Sequence, residues 1–192
     1  MRSLVYVFAD ESCLGNQFMD RDSPGGAAGL VETWTRAGWV RRDYWLSEPA
    51  TTNNRMALRS AIEGLALMKR SCRVLFTTDS QYLWRGMREW VPAWEGRGWR
   101  RKSGPIANEE LWRALVRERD RHEVEWKWVR GHAGHPQNEY ANDLAVLAAR
   151  QQSASNGLSE SGFETWLEEQ RRLHNRYREF DESASPPEPP PR

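Results

Sequence analysis

Residues 4–9 form an unbroken apolar run that stops at Asp10 and is followed by a Gly15/Asn16 turn, the pattern of a buried strand. Residues 27–34 and 39–45 read as two further strands joined at Gly38 into a hairpin, with a long loop over 17–26 ahead of them. Thr52 or Asn53 can cap a helix whose apolar positions Met56, Leu58, Ala61, Ile62, Leu65 and Leu67 recur at helical spacing. Residues 73–78 form a short strand ending at Asp79, and a helix follows over roughly 80–90. Then come a helix over 108–119, a strand over 123–129 and a helix over 138–151. Three strands, a helix, a strand, helices, a strand and a helix predict an α/β fold, a sheet of mixed direction with helices on its faces.

Beyond Gln151 the pattern changes. Residues 152–160 have the composition of a linker. Ser161-Gly-Phe-Glu164 matches a capping box. Phe163, Trp166, Leu167, Leu173, Tyr177 and Phe180 then lay one apolar stripe along a charged helix expected over 161–182. Such a helix either docks back on the domain or binds a partner. Residues 183–192 cannot build a core and are expected to be disordered or polyproline-like. The expected organisation is a domain over 1–151, a linker, the amphipathic helix and a Pro-rich tail.

Composition adds limits. A chain of 192 residues with 39% hydrophobic content suits one domain plus an appendage. The net charge of +1, from 28 basic and 27 acidic residues, says nothing about partners by itself. Cys13 and Cys72 fit neither a disulfide framework nor a zinc spacing, which points to a reduced, cytoplasmic setting. No run approaches the roughly 20 apolar residues of a membrane span, so a membrane role is not expected. The chain is expected to be a monomer.

The chemistry sits at strand ends. Asp10 and Asp79 each close an apolar strand, and ligand sites in open α/β sheets gather outside the carboxyl ends of strands. Two adjacent carboxylates repel unless a cation joins them, and Mg²⁺ or Mn²⁺ prefers such oxygen donors. Asp79 alone could equally cap the helix that follows. His132, in Arg130-Gly-His-Ala-Gly134, can serve proton transfer or anchor its loop, the expected role of His135. Residues 84–102 hold six basic residues against two acids, with four tryptophans interleaved. Arg85, Arg88, Arg97, Arg100, Arg101 and Lys102 would make a basic ridge suited to phosphates. Packing between helices accounts equally well for Trp94 and Trp99.

Four segments carry a resemblance: Phe8-Ala-Asp-Glu-Ser-Cys-Leu-Gly-Asn16, Thr51-Thr-Asn-Asn-Arg-Met-Ala57, Thr77-Thr-Asp-Ser-Gln-Tyr82 and Trp128-Val-Arg-Gly-His-Ala-Gly-His-Pro-Gln-Asn-Glu139. In order and spacing they resemble the signature segments of bacterial type I ribonuclease H, and the likeness covers roughly residues 3–150. It implies a ribonuclease H-like fold, a five-stranded mixed sheet flanked by helices, to which the C-terminal helix is an addition. It implies hydrolysis of the RNA strand of RNA/DNA hybrids with divalent metal, Mg²⁺ or Mn²⁺. Asp10 and Asp79 would be ligands and His132 the proton shuttle. Cys13, Asn16, Thr52, Asn53, Asn54 and Gln81 match hybrid-contacting positions, contacts of the kind that tell RNA from DNA by its 2′-hydroxyl. Trp90, Arg97, Arg100, Arg101 and Lys102 match the basic protrusion that grips the DNA strand.

The departures are specific. Ala57 stands where the family has Glu, and Asn142 where it has Asp. Glu11 stands where the family usually has Gly, and is the candidate to supply the lost carboxylate. Against this, its side chain starts on the strand face opposite Asp10, and a salt bridge to an arginine is the competing role. Asn142 can still offer an uncharged oxygen. With two or three negative charges in place of four, the site is expected to hold divalent ions less tightly and to favour Mn²⁺. A hybrid-binding module without chemistry is the rival reading.

Overall fold

A computed structural model describes residues 3–15, 23–101 and 103–186. Asn16 and Lys102 lie outside the described residues. The strands are β1 (Leu4–Cys13), β2 (Ser23–Thr35), β3 (Gly38–Thr51), β4 (Arg73–Thr78), β5 (Glu123–Trp128) and β6 (Ser159–Glu160). They form one mixed sheet in the order β5-β4-β1-β2-β3-β6. β1 runs parallel to β4 and β4 to β5, while β1, β2, β3 and β6 alternate in direction. The expected five strands become six because the two residues of β6 pair with Arg42 and Asp43 of β3. The β2–β3 hairpin is also longer than its apolar core suggested, since pairing continues from Ser23/Thr51 to Thr35/Gly38.

Side chains alternate across β1, and each set meets a different layer. Val5, Val7, Ala9 and Cys13 join the larger core, which includes Met56, Ala57, Leu58, Ala61 and Leu65 of α1 (Asn53–Ala66) and Leu111, Trp112 and Leu115 of α4 (Glu109–Arg119). Tyr6 and Phe8 join the second core, with Tyr140 of α5 (Pro136–Gln151) and Phe163 and Leu167 of α6 (Phe163–His174). α1 begins where Thr52 caps it, its hydroxyl accepting the Arg55 N–H at 3.4 Å. α5 can approach β2 so closely only at Gly26, where a methyl group would lie 2.1 Å from the Ala145 carbonyl.

The expected helix over 80–90 is replaced by α2 (Gln81–Arg85), a π-helical turn (Gly86–Trp90) and α3 (Val91–Glu95). The wide turn seats Gly86 against the Trp112 ring, which is fully buried.

The C-terminal segment also departs from expectation. The stretch read as a linker lies along the β3 edge, where Ser155 exchanges hydrogen bonds with the Trp45 backbone (Ser155 N to Trp45 O 2.9 Å, Trp45 N to Ser155 Oγ 3.1 Å). α6 ends at His174, well short of 182, with Asn175 in the left-handed conformation that closes helices. The capping box does not form. Ser161 accepts the Phe163 N–H, and Glu164 turns instead to Arg41 at 2.6 Å. Phe163 and Leu167 are 0% exposed, each worth about 1.5–3 kcal/mol of apolar burial. Residues 183–186 pack near the hairpin, Trp39 donating to the Ala184 carbonyl at 2.8 Å. The rest of the expected disordered tail, 187–192, lies outside the described residues.

One buried histidine gives this fold a pH signature. The Nδ1 of His122 accepts the Cys72 N–H at 3.3 Å, so the ring proton sits on Nε2, 3.1 Å from the Leu65 carbonyl. Burial holds this imidazole below its usual range, and Arg121 adds to that; the Leu65 carbonyl opposes it. The unfolded chain therefore takes up this proton more readily than the folded one. The contribution to stability is complete above about pH 6.5 and is lost as pH falls toward the folded value. The melting temperature should fall through that window, and His122→Gln should flatten the slope; an unchanged slope would remove His122 from the account.

Candidate metal centre and nucleic-acid face

The register of the two central parallel strands builds the acidic site. Ala9 is opposite Thr78, so the next residues, Asp10 and Asp79, emerge side by side from neighbouring strand ends. Asp79 does not cap the following helix. Ser80 does so, its hydroxyl accepting the Leu83 N–H at 3.4 Å, which leaves the Asp79 carboxylate free. Asp10, Glu11 and Asp79 can each present a ligand oxygen such that all three lie within 4.8 Å of one another.

Asp10 is 6% exposed, and both its oxygens are held. Oδ1 accepts the Glu11 N–H at 2.7 Å and Oδ2 accepts the Asn138 side-chain amide at 2.9 Å. Burial, and next the nearby Asp79 charge, push the Asp10 carboxyl up to about 8 against these two hydrogen bonds. Glu11 is raised well above the carboxylate range by burial, then by Asp10 and Asp79, while the Ser80 hydroxyl opposes the shift. Burial also raises Asp79; its own amide and the nearby His132 pull the other way. Desolvation drives all three acids toward their neutral forms, and repulsion adds to it at Asp10 and Glu11, so a divalent cation would favour their charged forms. The donor set, all hard carboxylate oxygens, suits such an ion.

Glu11 shares its strand face with Ala9 and Cys13, the face covered by α1. Ala57, 1% exposed, belongs to that same layer. Glu11 therefore projects toward the layer that holds Ala57, on the side of the strand opposite Asp10. Among the described residues Glu11 has no arginine partner.

On the other face, Asn138 sits in the first turn of α5, and sequence reasoning missed it. An amide near a helix start reads as a turn residue, and only its place one helical turn before Asn142, on the same face of α5, could have flagged it. Asn142 is half-buried. Gly131 is needed on steric grounds. A methyl there would lie 2.3 Å from the Asp79 Oδ2, so the loop packs directly on the acid. His132 is exposed, at φ 53°. His135 precedes α5 with its ring 5.4 Å from Phe8.

β1, β3, β4 and β5 end on one edge of the sheet, so the starts of α1 and α2 lie beside the acids. Thr52, Asn54 and Gln81 are exposed there. Asn53 is half-buried, its amide oxygen without a protein partner. The Cys13 side chain belongs to the core, its thiol pushed up to about 11 by burial and then by Glu11 and Glu48.

Farther along, Trp90, Trp94 and Trp99 pack with Tyr82 around Trp112. Arg113 lies over the Trp99 ring at 4.4 Å. Trp90 is half-buried and lines a cavity of about 360 Å³ with Tyr82, Trp94, Arg101 and Ala107. Arg97, Arg100 and Arg101 are exposed and form no ion pair among the described residues.

A mixed sheet that gathers three acids able to hold a divalent cation between two helical layers is the architecture of a candidate metal-dependent enzyme. Comparison with known proteins gives the family. Residues 2–150 match the RNase H family model. Ribonuclease H of Stutzerimonas stutzeri is 45% identical over 152 residues, covering 77% of this chain and 95% of the relative. Ribonuclease HI of Pseudomonas aeruginosa is 46% identical, covering 73% and 90%. The crystal structure of LC9-RNase H1, a type 1 RNase H with the type 2 active-site motif, is 56% identical with a TM-score of 0.81, covering 86% of this chain and 81% of that one. The chain belongs to the RNase H family.

Gly131→Ala tests the packing over Asp79. The added methyl must displace either the loop or the carboxylate, and a misplaced catalytic group costs on the order of tenfold or more in rate. Ribonuclease activity should fall by that much while the melting temperature stays close to the parent's; parental activity would show that the loop yields and the acid does not.

Proposed function

We propose that this ribonuclease H hydrolyses the RNA strand of RNA/DNA hybrids at the Asp10–Glu11–Asp79 centre, with Glu11 in place of the family's helix carboxylate. The observation that carries this reading is the convergence of three ligand oxygens within 4.8 Å. The family relation supports the activity and its dependence on divalent metal. The 56% identical relative, a type 1 enzyme with the type 2 active-site motif, supports a type 1 fold that carries a different acid set.

Mg²⁺ is the ion we assign, with Mn²⁺ as its substitute. Asp10, Glu11 and Asp79 would hold the metal, and Asn142 would add an uncharged oxygen from α5. When bound, divalent metal supplies an activated water and stabilises the departing 3′ oxygen. Asn138 keeps one oxygen of Asp10 oriented, and Ser80 does the same for Glu11. His132 delivers a proton to the leaving 3′ oxygen from its exposed loop. Thr52, Asn53, Asn54, Gln81 and the Cys13 backbone meet the RNA side of the hybrid, with Asn16 assigned to the same set. Trp90, Arg97, Arg100, Arg101 and Lys102 grip the DNA strand. The enzyme acts as a cytoplasmic monomer, and no helix among the described residues is long and apolar enough to cross a membrane.

Cleavage of a labelled hybrid in Mg²⁺ and in Mn²⁺ tests the centre. Removing a charged ligand forfeits several kcal/mol of charge stabilisation, so Asp79→Asn should lose about 100-fold or more in either metal. Glu11→Gln should lose at least about tenfold, and a native rate for it would end the relocation argument. No cleavage by the native chain above Asp79→Asn would leave a hybrid-binding module. Activity should saturate with Mn²⁺ at lower concentration than with Mg²⁺, and the reverse order would contradict the electrostatic account of a three-acid site.

A further inference from the structure

The chain beyond α5 does more than cover a hydrophobic face. After α6 it turns through Asn175 and Tyr177, both at positive φ (56° and 55°). Asparagine tolerates that conformation, but a bulky aromatic residue rarely adopts it, and it persists only where surrounding contacts impose it. Here the Arg176 N–H donates to the Gln170 carbonyl at 3.2 Å. The Tyr177 ring lies 5.6 Å from Trp166, and the Arg176 guanidinium stacks over Tyr177 at 4.7 Å. Downstream, Arg171 binds Glu182 at 2.7 Å, and the buried Arg41 joins Glu32, Glu164 and the Glu182 carbonyl. The segment is fastened on both sides of the turn.

This turn aims Arg176 at Glu139, with which it forms an ion pair, and brings the Tyr177 hydroxyl toward the same carboxylate. Glu139 occupies the first turn of α5. Its other oxygen accepts the Gly134 N–H at 2.9 Å. Gly134 ends the exposed loop that carries His132, and both residues have positive φ (83° and 53°). Burial raises the Glu139 carboxyl, but Tyr177, Arg176 and the Gly134 N–H outweigh it and hold the group below its usual range. It remains a charged acceptor, the stronger kind. Docking alone would be met by Phe163 and Leu167 and does not require this strained turn.

We propose that the C-terminal extension belongs to the catalytic apparatus: Arg176, acting through Glu139, is a positioning residue that fixes the loop carrying His132. The inference rests on the reading of His132 as proton shuttle. Without Arg176 the Glu139 side chain can swing to solvent and release the Gly134 N–H.

The test uses the full chain and three arginine variants: Arg176→Ala, Arg176→Lys, and Arg172→Ala as a control on the exposed side of α6. Steady-state cleavage of a labelled RNA/DNA hybrid gives kcat and KM, and amide hydrogen exchange reports on residues 130–135. Arg176→Ala should lower kcat about tenfold with KM nearly unchanged. Exchange in the loop should quicken about tenfold, a 1.4 kcal/mol loss of local protection, while the middle of α5 keeps its protection. Arg176→Lys should recover part of both, and Arg172→Ala should match the parent. Unchanged loop exchange in Arg176→Ala would overturn the proposal whatever happens to the rate. So would faster loop exchange with native kcat. A His132→Ala variant with native kcat would sink the shuttle reading alone, because loop exchange reports the Arg176 linkage without reference to turnover.

Discussion

Everything at the site follows from one register. β1 and β4 pair so that Ala9 faces Thr78, and each chain continues into an aspartate. Neighbouring strands lie about 4.8 Å apart, so two carboxylates at that step must share one volume of space. Their repulsion is the cost the fold accepts at this edge, and it is why the group that relieves it has to be a cation. Glu11 adds a third negative charge from the next backbone position. Burial raises the carboxyls of Asp10 and Glu11 first, and a neighbouring charge second, Asp79 for Asp10 and Asp10 for Glu11.

The alternation of β1 then divides the site between two layers. Asp10 looks toward α5, where Asn138 binds it and Asn142 follows one helical turn later. Glu11 looks toward α1. Ala57 lies in the apolar layer with Ala9 and Cys13. Positions 11 and 57 thus face one layer, at the contact between β1 and α1. The departure at 142 belongs to the opposite layer and changes charge without changing shape.

Much of this was legible in the chain, and the parts that were not share a cause. Apolar runs ending in Asp10 and Asp79 announce strand ends, because nothing else explains a carboxylate closing a buried strand. Alternation also showed that Glu11 starts opposite Asp10, but pattern alone could not say which face held the gap. That required knowing which helix covers which side. Asn138 was missed for the same reason, since its amide means little until α5 is laid over Asp10. Local periodicity likewise failed where a tertiary contact outweighed it. Gly86 yields to the Trp112 ring, so the expected single helix opens into a π-helical turn. The apolar stripe through Tyr177 and Phe180 predicted helix to 182. The chain turns at Asn175 instead and still packs both rings against the second core.

That last difference bears on why the extension is shaped as it is. A helix continuing past His174 would carry Arg176 along its own axis, and its side-chain direction would be set by the helical period. Leaving the helix lets the backbone choose the direction instead. Two left-handed residues flank Arg176, and the contacts of Tyr177 with Trp166 and of Arg171 with Glu182 hold that choice in place. Trp166 in turn donates to Asp143, next to Asn142 on α5. The same helix therefore meets the extension at Asp143, Tyr140 and Glu139, and meets Asp10 at Asn138. Because a helix behaves as a stiff rod over so few residues, force applied at one of these positions is felt at the others. In the first turn of α5 the added segment, the histidine loop and the acidic cluster meet, through Glu139 to Arg176 and Gly134 and through Asn138 to Asp10.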